Sequence, residues 1–218
     1  MAISGTLQGE SGQSPMVPNP LPVTDEELLL RYREEGDGEA INELVRRYLP
    51  ELYSYLRRRL GDSQLAEDTF QTTFAQVCFK VHLFDAEKKF KPWLYAIAQN
   101  QAIDCQRRNK RHRMVSLDQP SRQMNEGDAA SLAELSASDE DGPSDVMNAA
   151  ERKRHVRRAV ASLPEAQRNV IELIYYQNLK YHETAEILDI PIGTVKSRCN
   201  AAMTKLNEMF GRMELFRE

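Results

Sequence analysis

Residues 181–200 read YHETAEILDIPIGTVKSRCN. The apolar residues of the first eight positions recur at helical spacing, and so do those that follow Thr194. The two segments are joined by residues 189–193, Asp-Ile-Pro-Ile-Gly, and proline and glycine are residues that interrupt helices. A helix, a tight turn and a second helix form a helix-turn-helix. An ordinary helical hairpin with a polar face is the plainer alternative, and the short turn with glycine favours the helix-turn-helix.

The second helix of this pair begins with polar and cationic residues. Apolar positions seat it against the first helix, which leaves a polar set facing outward: Thr194, Lys196, Ser197, Arg198, Asn200 and, further along, Lys205. Arginine and asparagine can each make two hydrogen bonds to a base edge in the major groove. The amide groups at a helix N-terminus can also bind a phosphate. The pattern therefore predicts a DNA-reading helix.

Helical periodicity also extends over the first half of the chain. A capping box at residues 24–27 (Thr-Asp-Glu-Glu) opens one helix, and Gly36-Asp37-Gly38 ends it. Three further helices are predicted: Ile41–Leu60, which contains Pro50, Leu65–Val77, and one that has Pro92 in its first turn and runs into residues 106–113. No alternating apolar pattern typical of a strand occurs.

The second half has the same character. Periodicity resumes at about Ala149, and Pro164 opens a helix that includes Val170 and Ile174. We therefore predict an all-α protein with two small helical domains joined by a flexible acidic linker. The predicted parts are a disordered tail at 1–23, a first domain at 24–113, the linker at 114–148 and a helix-turn-helix domain at 149–212.

The charge of the chain is unevenly placed. Its 218 residues hold 29 Lys+Arg and 33 Asp+Glu, a formal charge of −4. Residues 106–113 hold five Arg and Lys and no acid, whereas residues 114–150 hold eight acids and one arginine. The cationic run is either a solvated helix end or a phosphate-binding patch. We favour the patch, because clustered cations repel one another unless an anion relieves them.

Several classes of function are not expected. No apolar run approaches the 18 residues of a membrane span, and the N-terminus has no secretory pattern, so we predict a cytoplasmic protein without membrane insertion. Three widely spaced cysteines predict reduced thiols. Residues 182–186 begin like a zinc-protease helix, but glutamate replaces the second histidine. We therefore predict no enzyme activity, no metal and no cofactor.

Four stretches, in this order, resemble the extracytoplasmic-function (ECF) class of sigma factors, the promoter-recognition subunits of bacterial RNA polymerase. They are residues 43–48 (ELVRRY), 66–74 (AEDTFQTTF), 93–104 (WLYAIAQNQAID) followed by Arg107-Arg108, and 190–198 (IPIGTVKSR). Any one alone is weak, whereas all four in family order with a linker between them are specific.

The resemblance implies a role for each domain. The helix at 68–74 would dock on the clamp helices of the polymerase β′ subunit through Asp68, Gln71, Thr72 and Phe74. The first domain would bind the −10 promoter element through Lys88, Lys89, Trp93, Asn100, Asp104, Arg107, Arg108, Lys110 and Arg111. Among these, Asn100 and Asp104 would line a pocket for a flipped base, and for Trp93 we favour core packing over stacking on a base. The helix-turn-helix would bind the −35 element, with the β flap as a second polymerase contact, and an anti-sigma factor is a further expected partner.

Alternatives remain open at this stage. The acidic linker is either a solvated spacer, which we favour, a mimic of nucleic acid inside the polymerase, or a mask for the cationic run. The alternative function is a stand-alone helix-turn-helix regulator whose first domain dimerises or senses a ligand. Residues 66–74 and 93–108 argue against it, because a free-standing repressor would not need them.

Overall fold

The computed structural model describes the backbone of residues 23–115 and 143–211, with side chains for 23–111 and 151–211. These residues form eight α-helices and no strand, which confirms the all-α prediction. The helices are α1 (Asp25–Glu35), α2 (Gly38–Leu60), α3 (Ser63–Lys80), α4 (Phe90–Val115), α5 (Pro143–Ala161), α6 (Glu165–Ile171), α7 (Tyr181–Leu188) and α8 (Ile192–Gly211). A 3₁₀ turn (Val81–Leu83) follows α3, and a π-turn (Glu172–Tyr176) follows α6.

Capping residues set the ends of the first three helices. The capping box of α1 is confirmed, since the Thr24 N–H donates to Glu27 Oε2 at 2.9 Å and the Glu27 N–H donates to Thr24 Oγ1 at 3.2 Å. Gly36 (φ +69°) and Gly61 (φ +74°) end α1 and α2 in the left-handed conformation. Asp62 then caps α3 by accepting from the Leu65 N–H at 2.9 Å.

The boundaries of the linker differ slightly from those predicted. Helix α4 continues to Val115, and α5 begins at Pro143, six residues before the predicted start of the second domain at 149. The predicted tail, apart from Val23, and residues 116–142, which include the short helix considered near Ser131–Leu135, lie outside the described residues.

The first domain packs α1–α4 around an aromatic and aliphatic core. Leu29, Leu44, Leu52 and Leu56 are fully buried there, and Tyr55 and Tyr95 meet edge to face with ring centroids 5.3 Å apart. Burial of this many apolar side chains is the main stabilising term for the domain. It holds α4, the helix of the predicted −10 surface, against α2 and α3.

The second domain has its own smaller core. Val160 and Leu163 at the end of α5 pack with Val170 of α6 and with the buried stripe of α8, which consists of Val195, Cys199, Ala202 and Leu206. The helix-turn-helix prediction is confirmed by α7 and α8, although α8 begins at Ile192, inside the predicted turn. Asp189 ends α7 in the left-handed conformation with φ +50°.

The two domains contact each other through α2, α4, the π-turn and α7. The Arg58 guanidinium lies 3.6 Å from the Glu172 carboxylate and over the Tyr176 ring, 4.9 Å from its centroid. The Tyr95 hydroxyl donates to Gln177 Oε1. Leu173, Leu179 and Ile187 of the second domain join the buried cluster of the first domain.

Within the described residues, no helix is long and apolar enough to cross a membrane.

Candidate nucleic-acid interface

One exposed stripe of α4 carries four of the predicted −10 residues. Asn100, Asp104, Arg107 and Arg111 follow one another at spacings of four, three and four residues, and all four are exposed. This spacing places them on one face of the helix. Asp104 Oδ1 lies 4.0 Å from Arg107 Nη1. The stripe thus presents an amide with both donor and acceptor, followed by cations towards the helix end.

The amide of Gln99, the residue before Asn100, points to a different side of α4. Gln99 is buried, and its Oε1 accepts from the Tyr55 hydroxyl at 2.7 Å. That hydrogen bond and the burial of Ala98 fix the rotation of α4 about its axis. The core therefore determines that Asn100, rather than Gln99, is presented on the exposed stripe.

Three more of the predicted −10 residues lie at or just before the start of α4: Lys88 and Lys89 in the preceding loop, and Trp93 in the helix. Lys88 and Lys89 are exposed, and Lys89 Nζ lies 3.8 Å from Glu26 Oε2. Trp93 is half-buried, with its ring centroid 5.2 Å from that of Phe84 and 6.3 Å from that of Phe90. Trp93 therefore packs on the edge of the core with part of its ring exposed.

The predicted polymerase residues of α3 divide into two groups. Asp68, Gln71 and Thr72 are exposed on one face, where the Thr72 hydroxyl donates to the Asp68 carbonyl at 2.7 Å. Phe74 is buried in the core, and its ring centroid lies 5.1 Å from that of Phe70. Phe74 therefore packs α3 against the core and is not exposed for contact with polymerase in this structure.

A shallow cavity of about 270 Å³ joins α3 to α4. It is lined by Asp68 and Thr72 of the predicted polymerase surface and by Arg108 of the predicted −10 set, together with Asn109 and Gln101. The two predicted surfaces are therefore neighbours, and Arg108 belongs to the side of α4 that faces α3. Lys110 lies on the other side, towards the second domain.

Helix α8 presents its predicted residues outside its buried stripe. Lys196, Ser197, Asn200 and Lys205 are exposed, whereas Thr194 and Arg198 are half-buried. The Ser197 hydroxyl donates to the Thr194 carbonyl at 3.1 Å. The first turn of α8 is held by the Thr194 and Val195 N–H groups, which donate to the Pro191 carbonyl at 2.8 and 3.1 Å.

Two features near these surfaces were not predicted. Arg57–Arg59 end α2, and Arg59 is directed at the second domain, where its side chain is only 4% exposed. The run of three arginines at a helix end was the visible signal. Phe79 and Leu83 are apolar side chains that are 74% and 66% exposed. Their exposure depends on how α3 and the 3₁₀ turn pack, which the local sequence pattern does not contain.

Comparison with known proteins identifies the family. The model of sigma-70 region 2 matches residues 44–112, and that of sigma-70 region 4 matches residues 153–206. The chain is 31% identical over 188 residues to the ECF sigma factor SigW of Bacillus subtilis, which covers 84% of this chain and 97% of SigW. It is 32% identical over 181 residues to the ECF sigma-E factor of Haemophilus influenzae, which covers 81% of this chain and 89% of that protein.

Solved structures share the fold. CnrH in complex with the cytosolic domain of CnrY aligns with a TM-score of 0.58 and 21% identity, over 86% of this chain and 97% of that chain. The sigma factor RpoE in complex with the anti-sigma factor NepR from Bartonella quintana aligns with a TM-score of 0.55 and 24% identity, over 78% and 96%.

The chain belongs to the sigma-70 family, in its ECF class. It is a sigma factor, which binds core RNA polymerase and directs promoter recognition and opening for transcription initiation. The comparisons lend no support to a stand-alone regulator. Within the described residues, no group of three or more His, Cys, Asp or Glu side chains could hold a metal ion.

Proposed function

We propose that the exposed stripe of α4 binds the opened −10 strand, that the polar residues of α8 bind the −35 duplex, and that Asp68, Gln71 and Thr72 dock on the polymerase clamp. The observation that carries the proposal is the set of side chains exposed on α4, where Asn100 is presented beside a cationic helix end. Asparagine can recognise a base edge, and Arg107 and Arg111 can hold the flanking phosphates.

The energetic basis is differential binding. Opening a DNA duplex costs about 1–2 kcal/mol per base-pair step. A factor that hydrolyses no nucleotide can offset this cost only by binding the open strand more tightly than the duplex. Surfaces on two domains that are brought together on polymerase act at high effective concentration, so each can be weak on its own.

Partners and location are part of the same proposal. RpoE of Bartonella quintana is bound by the anti-sigma factor NepR in its solved structure, and an anti-sigma factor is a matching partner for this chain. All three cysteines are free thiols. Free thiols and a polymerase partner support a cytoplasmic location, and membership of the sigma factors supports a role without catalysis.

Run-off transcription with core polymerase tests the assignment of Asn100. We expect Asn100→Ala to lower promoter opening roughly tenfold, because one good base contact contributes about 1–3 kcal/mol. Binding to core polymerase, measured separately, should stay unchanged. Asn207→Ala, an exposed residue at the far end of α8, is the matched control and should open promoters like the wild type. If Asn100→Ala weakens polymerase binding as much as opening, the assigned role is incorrect.

A further inference from the structure

A solvent-open cleft of about 570 Å³ lies between the two domains, and only Arg107 and Arg198 of its lining residues also belong to the proposed DNA surfaces. Its walls come from α2 and α4 of the first domain and from α6, α7 and α8 of the second. Its volume lies within the range of about 300–1,000 Å³ that is typical of small-molecule sites. A DNA duplex is far too large for it.

The walls of the cleft are strongly cationic. Arg59, Arg107 and Lys110 line it from the first domain and Arg198 from the second, against the single carboxylate of Glu165. Four cations against one acid leave a formal excess of three positive charges. Such a concentration of like charge is unfavourable until an anion enters.

Arg59 holds a nearly buried positive charge in the wall of the cleft. Its side chain is 4% exposed, and its guanidinium donates to Asn169 Oδ1 through Nη1. Nη2 lies 3.6 Å from Glu165 Oε1, and the Glu165 side chain is 59% exposed, so solvent screens this pair. Arg59 Nε is buried and has no hydrogen-bond partner among the described residues. A buried, unpaired donor of a charged group is costly, and an anion against the guanidinium would stabilise the positive charge of Arg59 as a whole.

The uncharged walls of the cleft suit a nucleobase. Ile103, Leu188 and Ala166 provide an apolar surface in the cleft. Gln99 already accepts from Tyr55 through its oxygen, so its amide N–H groups remain to donate. Gln106 donates its amide to the Arg59 carbonyl at 3.3 Å, so its oxygen remains to accept. A donor and an acceptor beside an apolar wall match the edge and face of a nucleobase.

We propose that this interdomain cleft binds a nucleotide that carries two or more phosphates, with the phosphates on Arg59, Arg107, Lys110 and Arg198 and the base against Ile103 and Leu188. Because the phosphates contact both domains, the ligand holds the domains together. Since Arg107 and Arg198 belong to the proposed DNA surfaces, the bound nucleotide also competes with promoter DNA; this last consequence rests on the proposed function.

Titration calorimetry on the free full-length chain tests the proposal without polymerase. The probes are GTP, inorganic tripolyphosphate and guanosine. We expect GTP to bind, tripolyphosphate to bind more weakly and guanosine to bind least. No binding of GTP or tripolyphosphate below the millimolar range would overturn the proposal. Equal binding of GTP and tripolyphosphate would overturn the assignment of the base site and leave an oligophosphate site.

Charge variants distinguish GTP binding at the cleft from non-specific electrostatic attraction of GTP to the protein. Lys110→Gln and Arg198→Gln, one in each domain, should each weaken GTP binding roughly tenfold, as expected for the loss of one charge-assisted contact. Arg46→Gln and Arg157→Gln remove the same charge from exposed positions outside the cleft and should leave the affinity unchanged. An equal loss in all four variants would show unspecific attraction and overturn the proposal.

The acidic segment 116–142 is the competing occupant to exclude. A full-length variant with its seven Asp and Glu changed to Asn and Gln addresses this point. If GTP binds only to this variant, the acidic segment of the wild-type chain is the occupant of the cleft, and the proposal fails. Run-off transcription by the wild-type chain is scored separately, so either result leaves the proposed promoter function with its own test.

Discussion

At the scale of single residues, two buried threonines differ in whether their hydroxyl groups are hydrogen-bonded. Thr184 of α7 and Thr73 of α3 are both fully buried. The Thr73 hydroxyl donates to the Thr69 carbonyl at 2.7 Å, whereas Thr184 Oγ1 has no partner in the described part of the chain. A buried hydroxyl without a partner costs free energy that an apolar group of the same shape does not.

We therefore predict that Thr184→Val raises the free energy of unfolding of the protein by about 1 kcal/mol. Thr73→Val is the matched control, because it removes a hydroxyl that is satisfied, and its effect should be neutral or destabilising. Urea denaturation followed by circular dichroism measures both. A Thr184→Val protein less stable than wild type would show that the hydroxyl is satisfied in solution.

A second prediction at this scale concerns Glu172 and pH. Burial raises the pKa of the Glu172 carboxyl, and the nearby Arg58 guanidinium partly opposes this increase. An acid with a higher pKa in the folded chain binds more protons when folded, so its contribution to the free energy of unfolding decreases as pH rises from the ordinary glutamate value through the raised one.

Glu172→Gln should therefore weaken the pH dependence of stability above pH 4.5, since no proton is then lost at this site. Arg58→Gln should strengthen it, because the group that lowers the pKa is removed. Melting temperatures at a series of pH values test both variants. Identical pH profiles for wild type and Glu172→Gln would contradict the assignment.

At the scale of elements, helix caps could be predicted from the sequence, whereas contacts between helices could not. Local side chains determine where a helix starts and ends, so the cap at Thr24 and the stop at Gly36 could be assigned from the sequence. The π-turn at 172–176 could not, because the periodicity through Ile174 is that of an ordinary helix. In and just after this turn, Glu172 contacts Arg58 and Gln177 contacts Tyr95. Both partners lie more than 80 positions earlier in the chain, and the local sequence pattern does not contain this information.

The same reasoning applies to the site. Spacing on α4 and α8 predicted most of the polar side chains that are exposed, since it depends on one helix at a time, whereas Thr194 and Arg198 are half-buried. The burial of Phe74 and the position of Arg59 in the interdomain cleft depend on which helices meet. The family resemblance supplied roles for the exposed residues and no information on the cleft.

The cap of α3 gives a prediction for an element. Asp62→Ala removes the acceptor for the Leu65 N–H, and loss of such a cap costs about 1 kcal/mol. Because α3 carries Asp68, Gln71 and Thr72, fraying of its first turn should also weaken binding to core polymerase. Asp62→Asn keeps an acceptor and should retain most of both properties. Denaturation and polymerase binding together check this, and equal losses for Ala and Asn would argue against capping.

At the scale of the whole molecule, charge placement explains how a protein of net charge −4 can bind DNA. Clusters of positive groups lie at the end of α4 and in the cleft between α4 and α8, while residues 114–150 hold eight of the acids. A net value averages these regions, whereas a phosphate responds to the charges within about 10 Å. Placement along the chain could be read from the sequence, and the approach of α4 to α8 required the fold.

The shared core has a consequence for handling the second domain alone. Leu173, Leu179 and Ile187 belong to the same buried cluster as the core of the first domain, which contributes to covering them. A fragment spanning residues 149–212 would expose these three side chains side by side, and an uncovered apolar patch promotes self-association. The half of the chain that reads duplex DNA therefore depends on a neighbour for its solubility, whether that neighbour is the first domain or another protein surface.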